Sequence, residues 1–256
     1  MKHIPRKRFG QNFLKDPSVL DAIVTAIAPR NSDIMLEIGP GLGAMTEKLL
    51  PHLSGLNVVE LDRDLATYLS HRFSAEKLTV HCGDALDFDI SSIVQHPDKK
   101  IRIVGNLPYN ISTPLLFHLM DSALHVEDQH FMLQKEVVER MVAEPGSKAY
   151  GRLSVILQWR YEMDMLFTVP PEAFDPQPRV DSAIVRMIPK ENPEKCSLPA
   201  LEKVVTQAFS QRRKMLRNTL APLFSEAELA KLEIDPTKRP EELATGQFVN
   251  LANHLQ

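Results

Sequence analysis

Glycine is scarce in this chain of 256 residues, with only ten, against nineteen prolines. There are two cysteines, one tryptophan, and no stretch near the roughly 18 consecutive apolar residues that a membrane helix requires. Cys82 and Cys196 match neither a metal-ligand spacing nor a disulfide framework, and the compartment reads as reducing cytoplasm. The amino terminus, Met1-Lys2-His3-Ile4-Pro5-Arg6-Lys7-Arg8, is basic with no apolar run behind it. It does not read as a secretory signal, and a short transit peptide is the less favoured alternative. Apolar residues make up 43% and charged residues 25%, the balance of a globular chain with a sizeable core. Disorder, collagen and coiled coil are excluded. The length suits one large domain or one and a half smaller ones.

A net charge of −3 argues against a nucleic-acid binder, but the distribution argues the other way. Residues 1–15 hold Lys2, Arg6, Lys7, Arg8 and Lys15 with no carboxylate; residues 203–225 hold Lys203, Arg212, Arg213, Lys214 and Arg217, again with none. A phosphate backbone responds to such patches within a Debye length of about 8–10 Å rather than to the total.

Pro17-Ser18 opens a helix with Val19, Leu20, Ile23, Val24 and Ile27 on one face, and Pro29 closes it. Strand-like runs then recur at Ile34–Ile38, Leu56–Glu60, Leu78–Cys82, Ile101–Val104, Phe131–Leu133, Leu166–Val169 and Ala183–Ile188. Helical stretches lie between most of them, at Ala44–Leu50, Leu65–Phe73, Pro114–Met120 and Lys135–Val142. The alternation predicts an α/β fold with a largely parallel, Rossmann-like sheet covered on both faces. The loop from Pro170 to Asp181 is too short for a crossover helix, so the last two strands should form an antiparallel hairpin at one edge. A polar, proline-marked linker, Pro189–Lys195, separates this domain (1–188) from a helical one (189–256). In the latter, Pro199–Phe209, Arg213–Leu220, Glu226–Leu232 and Pro240–Leu255 read as helices.

Half of the few glycines fall where strands end at their carboxyl edge: Gly39, Gly41 and Gly43, then Gly83, then Gly105. Open parallel sheets bind ligands at that edge. Glu37-Ile38-Gly39-Pro40-Gly41-Leu42-Gly43 lacks the G-x-G-x-x-G spacing of a dinucleotide site, and Glu37 would set a carboxylate beside any phosphate. A cationic, phosphate-free cofactor fits better, and S-adenosylmethionine is one. Glu60 at the end of the second strand suits two ribose hydroxyls, while Asp62 is a candidate helix cap. Asp84, after Gly83, suits an adenine amino group. Three successive strand ends that each carry an acid favour S-adenosylmethionine over NAD.

Gly105-Asn106-Leu107-Pro108-Tyr109-Asn110 is the most specific run in the chain. It suits methylation of a planar amino group, whose delocalised lone pair makes it a poor nucleophile. The Asn106 side-chain oxygen and the Leu107 carbonyl can accept its N–H bonds, favouring a pyramidal nitrogen and stabilising positive charge as it develops. Neither a strong base nor a metal is required; holding the reacting atoms about 3–3.5 Å apart supplies much of the rate. Tyr109 offers a stacking face worth about 1–3 kcal/mol per base. Phe174 lies in a loop with four prolines in nine residues, Pro170–Pro178, and is either a second stacking face or a core residue at a hairpin. A paired base would have to be flipped out to reach such a site.

Together these segments resemble the KsgA (RsmA) family of small-subunit ribosomal RNA adenine N6,N6-dimethyltransferases. The match is carried by Phe9–Leu14, Glu37–Gly43, Val59–Asp62, Asn106–Pro114, Leu133–Val138, Tyr150–Ser154, Phe174–Ser182 and Phe209–Leu220, nearly the whole chain. The resemblance implies a class I methyltransferase fold of seven strands with a small all-α carboxyl-terminal domain. It implies that Asn12, Leu14 and Gly39, with Gly41 beside them, line the methionine end of the cofactor. Glu60 would bind ribose, Asp84 adenine, and Asn106 both cofactor and target. It further implies two adjacent adenosines near the 3′ end of the small-subunit rRNA as substrate, in a pre-30S particle. The sequence is silent on oligomeric state, and nothing in it suggests more than a monomer. Lys7, Arg8, Arg212, Arg213, Lys214 and Arg217 become candidate phosphate contacts. Leu107 stands where monomethylating relatives carry proline, which suggests room for a nitrogen already bearing one methyl. Three other readings share the motif: a protein glutamine methyltransferase, a non-catalytic assembly or transcription factor, and a methyltransferase of large-subunit rRNA.

Overall fold

Short Val-, Ile- and Leu-rich runs can be buried on both faces only in a sheet covered by helices, and the strands follow that logic. The computed structural model describes residues 12–94 and 99–255. In chain order the strands are β1 (Phe13–Leu14), β2 (Ile34–Ile38), β3 (Leu56–Glu60), β4 (Leu78–Cys82), β5 (Ile101–Asn106), β6 (Val126–Gln134), β7 (Tyr161–Val169), β8 (Phe174–Asp175) and β9 (Ser182–Pro189). Seven of them form one sheet in the order β4-β3-β2-β5-β6-β9-β7, while β1 and β8 pair separately. Strands β4, β3, β2, β5 and β6 are mutually parallel, and β9 runs antiparallel to β6. The fold is therefore the expected Rossmann-like methyltransferase fold. The antiparallel strand lies between β6 and β7 and leaves β7 at the edge.

Strand β6 begins five residues earlier than its apolar run, because polar residues are buried inside it. Arg102 on β5 donates to both carboxylate oxygens of Asp128 at 2.9 and 2.7 Å, and to Asp33 at 2.8 Å. A buried guanidinium satisfied by two carboxylates lets this stretch remain strand despite its polar sequence. The helix Pro17–Ile27 is capped by Asp16, whose side chain accepts the Ser18 and Val19 N–H groups, and it buries Leu20, Ile23 and Ile27 against the sheet core.

The chain divides into two compact units. One contains the described residues through Val138 together with Asp164–Pro189; the other contains Glu139–Met163 and the residues from Lys190 onward. The expected boundary at 188/189 is corrected in this respect. Ala143, Tyr150 and Val155 are buried in the helical core beside Leu201, Val205 and Phe248, so the stretch that holds them belongs with that core. The basic run is also less helical than expected, with a 3-10 turn at Phe209–Gln211 and a short helix at Leu216–Thr219 in place of a helix over 213–220.

Candidate active site

Strand order sets the site. Adjacent parallel strands β4, β3, β2 and β5 end at Cys82, Glu60, Ile38 and Asn106, and the glycines that follow β2 and β4 continue the ladder. The Gly39 N–H donates to the Val59 carbonyl at 2.9 Å, and the Gly83 N–H to the Glu60 carbonyl at 3.0 Å. Beside these ends lies a cavity of about 800 Å³, in the upper part of the about 300–1,000 Å³ range of ligand sites. Asn12, Leu14, Gly39, Gly41, Glu60, Asn106, Leu107 and Tyr109 all line it. Gly41 has φ +58°, and a Cβ there would lie 2.9 Å from the Phe13 ring. Only glycine lets the loop turn under β1 at this point.

Glu60 is buried, and both of its oxygens are oriented by backbone. Oε2 accepts the Gly41 N–H at 3.1 Å and Oε1 accepts the Asp62 N–H at 2.9 Å. Further lone pairs stay available to ligand hydroxyls. Asp62 caps the helix Arg63–Arg72 and accepts the Asp64 N–H at 3.0 Å. Burial raises the Glu60 pKa against the pull of those backbone bonds. Glu37 is 1% exposed and accepts the Thr46 hydroxyl at 2.6 Å. Burial pushes its carboxyl up to about 7, the Thr46 bond opposes the rise, and the Glu60 charge adds to it. Two buried carboxylates whose pKa values are raised, Glu37 in part by the charge of Glu60 and Glu60 in part by that of Asp62, make this part of the cavity favourable to positive charge.

The Asn106 Nδ2 donates to the Asn12 carbonyl at 2.9 Å. A carbonyl can face only the N–H₂ end of an amide, so this bond fixes the side chain and leaves Oδ1 as an acceptor for a ligand. The Leu107 N–H continues the sheet to the Met132 carbonyl at 3.2 Å, and among the described residues no group donates to the Leu107 carbonyl. The Leu107 side chain is buried against Gly105. The Tyr109 hydroxyl is held 2.7 Å from Ser182 Oγ on β9, which fixes the ring. Burial raises the Tyr109 pKa, keeping the phenol neutral.

A family model described as ribosomal RNA adenine dimethylase matches residues 2–256. The chain belongs to that family. A ribosomal RNA small subunit methyltransferase A of Herminiimonas arsenicoxydans is 63% identical over 255 residues, covering 100% of both chains. One from Janthinobacterium sp. (strain Marseille) is 62% identical with the same coverage. The crystal structure of a dimethyladenosine transferase from Plasmodium falciparum is 28% identical, has a TM-score of 0.80, and covers 93% of this chain and 95% of that one. The chain is thus a methyltransferase enzyme.

Two expected dimethylase residues stand elsewhere. Phe174 is 1% exposed in the apolar core, where β8 pairs with β1 through Leu14; Asp175 and Pro176 line the cavity in its place. The expectation that Phe174 presents its face to a base is corrected: the short β1–β8 pairing turns that ring inward. Asp84 is not a lining residue; its neighbours Gly83 and Ala85 are, and its Oδ1 accepts the Leu86 N–H at 3.0 Å. Lys7 and Arg8 lie outside the described residues. In the helical unit Arg212 donates to the carbonyls of Lys148 and Tyr150, so it braces the backbone, while Arg213, Lys214 and Arg217 are exposed.

Other residues of the cavity escaped the sequence reading. Ser182 positions Tyr109, and Met132, Ile184 and His130 line the cavity from β6 and β9. Only cross-strand register, which no local pattern carries, brings them there. Among the described residues no helix is long and apolar enough to cross a membrane, and no group of three or more His, Cys, Asp or Glu could hold a metal ion.

Proposed function

We propose that this dimethylase methylates the N6 amino groups of two adjacent adenosines near the 3′ end of the small-subunit (16S) rRNA, using S-adenosylmethionine. It does so as a cytoplasmic monomer acting on a pre-30S particle. The observation that carries the reading is the fixed Asn106 amide beside the Leu107 carbonyl, to which none of the described residues donates, at one cavity wall.

S-adenosylmethionine supplies, when bound, a methyl group on a positively charged sulfur. Glu60, already aimed by two backbone N–H groups, accepts the ribose hydroxyls. Glu37 offsets positive charge, Asn12, Leu14, Gly39 and Gly41 enclose the methionine end, and Asp84 receives the adenine amine from beside the lining. Asn106 Oδ1 and the Leu107 carbonyl hold the N6 hydrogens of the target. As that nitrogen becomes positive, both acceptors bind it more strongly than they bind the neutral amine, which lowers the barrier. The fixed Tyr109 ring stacks the base, which must be unpaired or flipped. Exposed Arg213, Lys214 and Arg217, with Lys7 and Arg8, contact phosphates. The identities of the relatives named above support rRNA as the substrate.

Incubating undermethylated small subunits with methyl-labelled cofactor and analysing the nucleosides tests this. Label in N6,N6-dimethyladenosine is expected; label in protein, in another base or in large-subunit rRNA contradicts it.

A further inference from the structure

Leu42 sits between two residues in the left-handed conformation, Gly41 at φ +58° and Gly43 at φ +80°. A segment so placed has many turns open to it and loses much entropy when held in one. Inside the loop the Gly43 N–H donates to the Pro40 carbonyl at 2.9 Å, and the Gly41 N–H reaches out to Glu60 at 3.1 Å. The Leu42 carbonyl is held from outside. Arg72, the last residue of the helix Arg63–Arg72, donates to it through Nη1 at 2.6 Å.

The same guanidinium is engaged on its other sides. Nη2 donates at 2.6 Å to Glu47 Oε2, on the helix Ala44–Leu49 that follows the loop, and the group lies 5.1 Å from the centre of the Phe73 ring. Leu69 and Phe73 close against Gly43 as well, since a Cβ there would stand 2.9 Å from each side chain. The end of this helix therefore clamps the loop. Its start lies beside Glu60, where Asp62, its cap, donates its backbone N–H to Oε1 at 2.9 Å. Arg72, Leu42 and Glu47 all line the cavity. The Arg72 side chain is 31% exposed and that of Glu47 62%, so water and salt screen the ion pair between them. The carbonyl bond is the contact that restrains the loop.

We propose that Arg72 is a positioning residue for the cofactor: by holding the Leu42 carbonyl it fixes the glycine loop, and through the Gly41 N–H it fixes Glu60 for the ribose hydroxyls. The inference rests on the S-adenosylmethionine reading above. The path is continuous. It runs from Nη1 to the Leu42 carbonyl, two residues back along the backbone to the Gly41 N–H, and from there to Glu60 Oε2. Without Arg72 the free loop samples other turns, and only the fraction in the competent one binds, which weakens the apparent affinity by that fraction. Once the cofactor is in place its own contacts hold the loop, so the methyl-transfer step itself does not depend on Arg72.

Calorimetry with two ligands tests it. 5′-Methylthioadenosine keeps the adenine and ribose but has no amino-acid part, and so no carboxylate with which Arg72 could pair directly. Arg72→Met should raise the Kd of S-adenosylmethionine and of methylthioadenosine by the same factor, about tenfold, the scale of one hydrogen bond from a charged donor. Arg72→Lys, which keeps one charged donor for the carbonyl, should recover most of that loss. In cofactor-free Arg72→Met the Gly41 and Gly43 amide hydrogens should exchange faster than in the wild type. The single-turnover rate at saturating cofactor and rRNA should stay the same, so that the KM for cofactor rises and kcat does not. An unchanged Kd for both ligands overturns the proposal. So does a loss confined to S-adenosylmethionine, which would make Arg72 a direct partner of the carboxylate. If the wild type binds neither ligand, the cofactor reading beneath the proposal fails.

Discussion

Replacing Glu37 by Gln tests the electrostatics of the cavity without any substrate. Glu37 is 1% exposed, and its carboxyl is pushed from an ordinary 4.5 up to about 7. Between those pH values the folded protein binds more protons at this position than the unfolded chain does. The stability tied to the group is therefore complete below about pH 4.5 and is lost as pH rises through about 7. A tenfold change in protonation is worth about 1.4 kcal/mol, so the whole loss is about 3 kcal/mol. Gln does not titrate. Urea melts of the cofactor-free proteins should show Glu37→Gln gaining about 3 kcal/mol relative to wild type between pH 4.5 and pH 8. In a chain of this size that is about 6–12 °C in Tm. His130 has the opposite slope, since its lowered pKa costs stability as pH falls from 6.5 towards about 4, but it is common to both proteins and cancels in the comparison. Calorimetry supplies the second half of the test. At pH 6.5, S-adenosylmethionine should release protons from wild-type Glu37, and S-adenosylhomocysteine, which lacks the sulfonium charge, should release fewer; Glu37→Gln should release none from this position. A stability difference constant from pH 4.5 to 8 would refute the reasoning.

Gly41→Ala places a Cβ at φ +58° and 2.9 Å from the Phe13 ring; the left-handed conformation alone costs about 1–2 kcal/mol. Cofactor affinity should drop about tenfold or more by calorimetry, and an unchanged Kd would count against the loop's role. Tyr109→Phe loses only the 2.7 Å bond to Ser182 and about 1 kcal/mol of stability. Tyr109→Ala also loses the stacking face, worth about 1–3 kcal/mol in rRNA binding. Equal rRNA affinities in filter binding would dismiss the stacking role. Alanine at Arg213, Lys214 and Arg217 should flatten the salt dependence of rRNA binding by about 0.7–0.9 per lost contact. Arg212→Ala should instead lower the melting temperature of the protein, because that guanidinium holds the Lys148 and Tyr150 carbonyls. A slope that stays put would make the patch a solvated surface.

Much of the site was legible because it depends on where strands end. A polar residue or a glycine at or next to a strand end is a local signal, and a parallel sheet gathers such ends at one edge; Glu37, Glu60, Gly39 and Asn106, picked out in that way, all line the cavity. What depended on partners distant in sequence was hidden. Phe174 read as a presented aromatic because prolines surround it, yet the pairing of β8 with β1 buries it. His130 and Asp128 look like surface residues until Arg102, itself held by Asp33, is placed beside them. Residues 139–163 run on from the sheet without a linker signal, and only the burial of Tyr150 and Val155 among the later helices assigns them to the second unit.

The central claim is that two oxygens at the end of β5 grip the target amine. The most direct measurement is the single-turnover rate of Asn106→Ala at saturating cofactor and rRNA, with product methyls counted by mass spectrometry. Losing one such acceptor should slow transfer by about 10²–10³-fold, with the circular dichroism spectrum unchanged. Wild-type rates and a full yield of dimethyladenosine from Asn106→Ala would contradict the account.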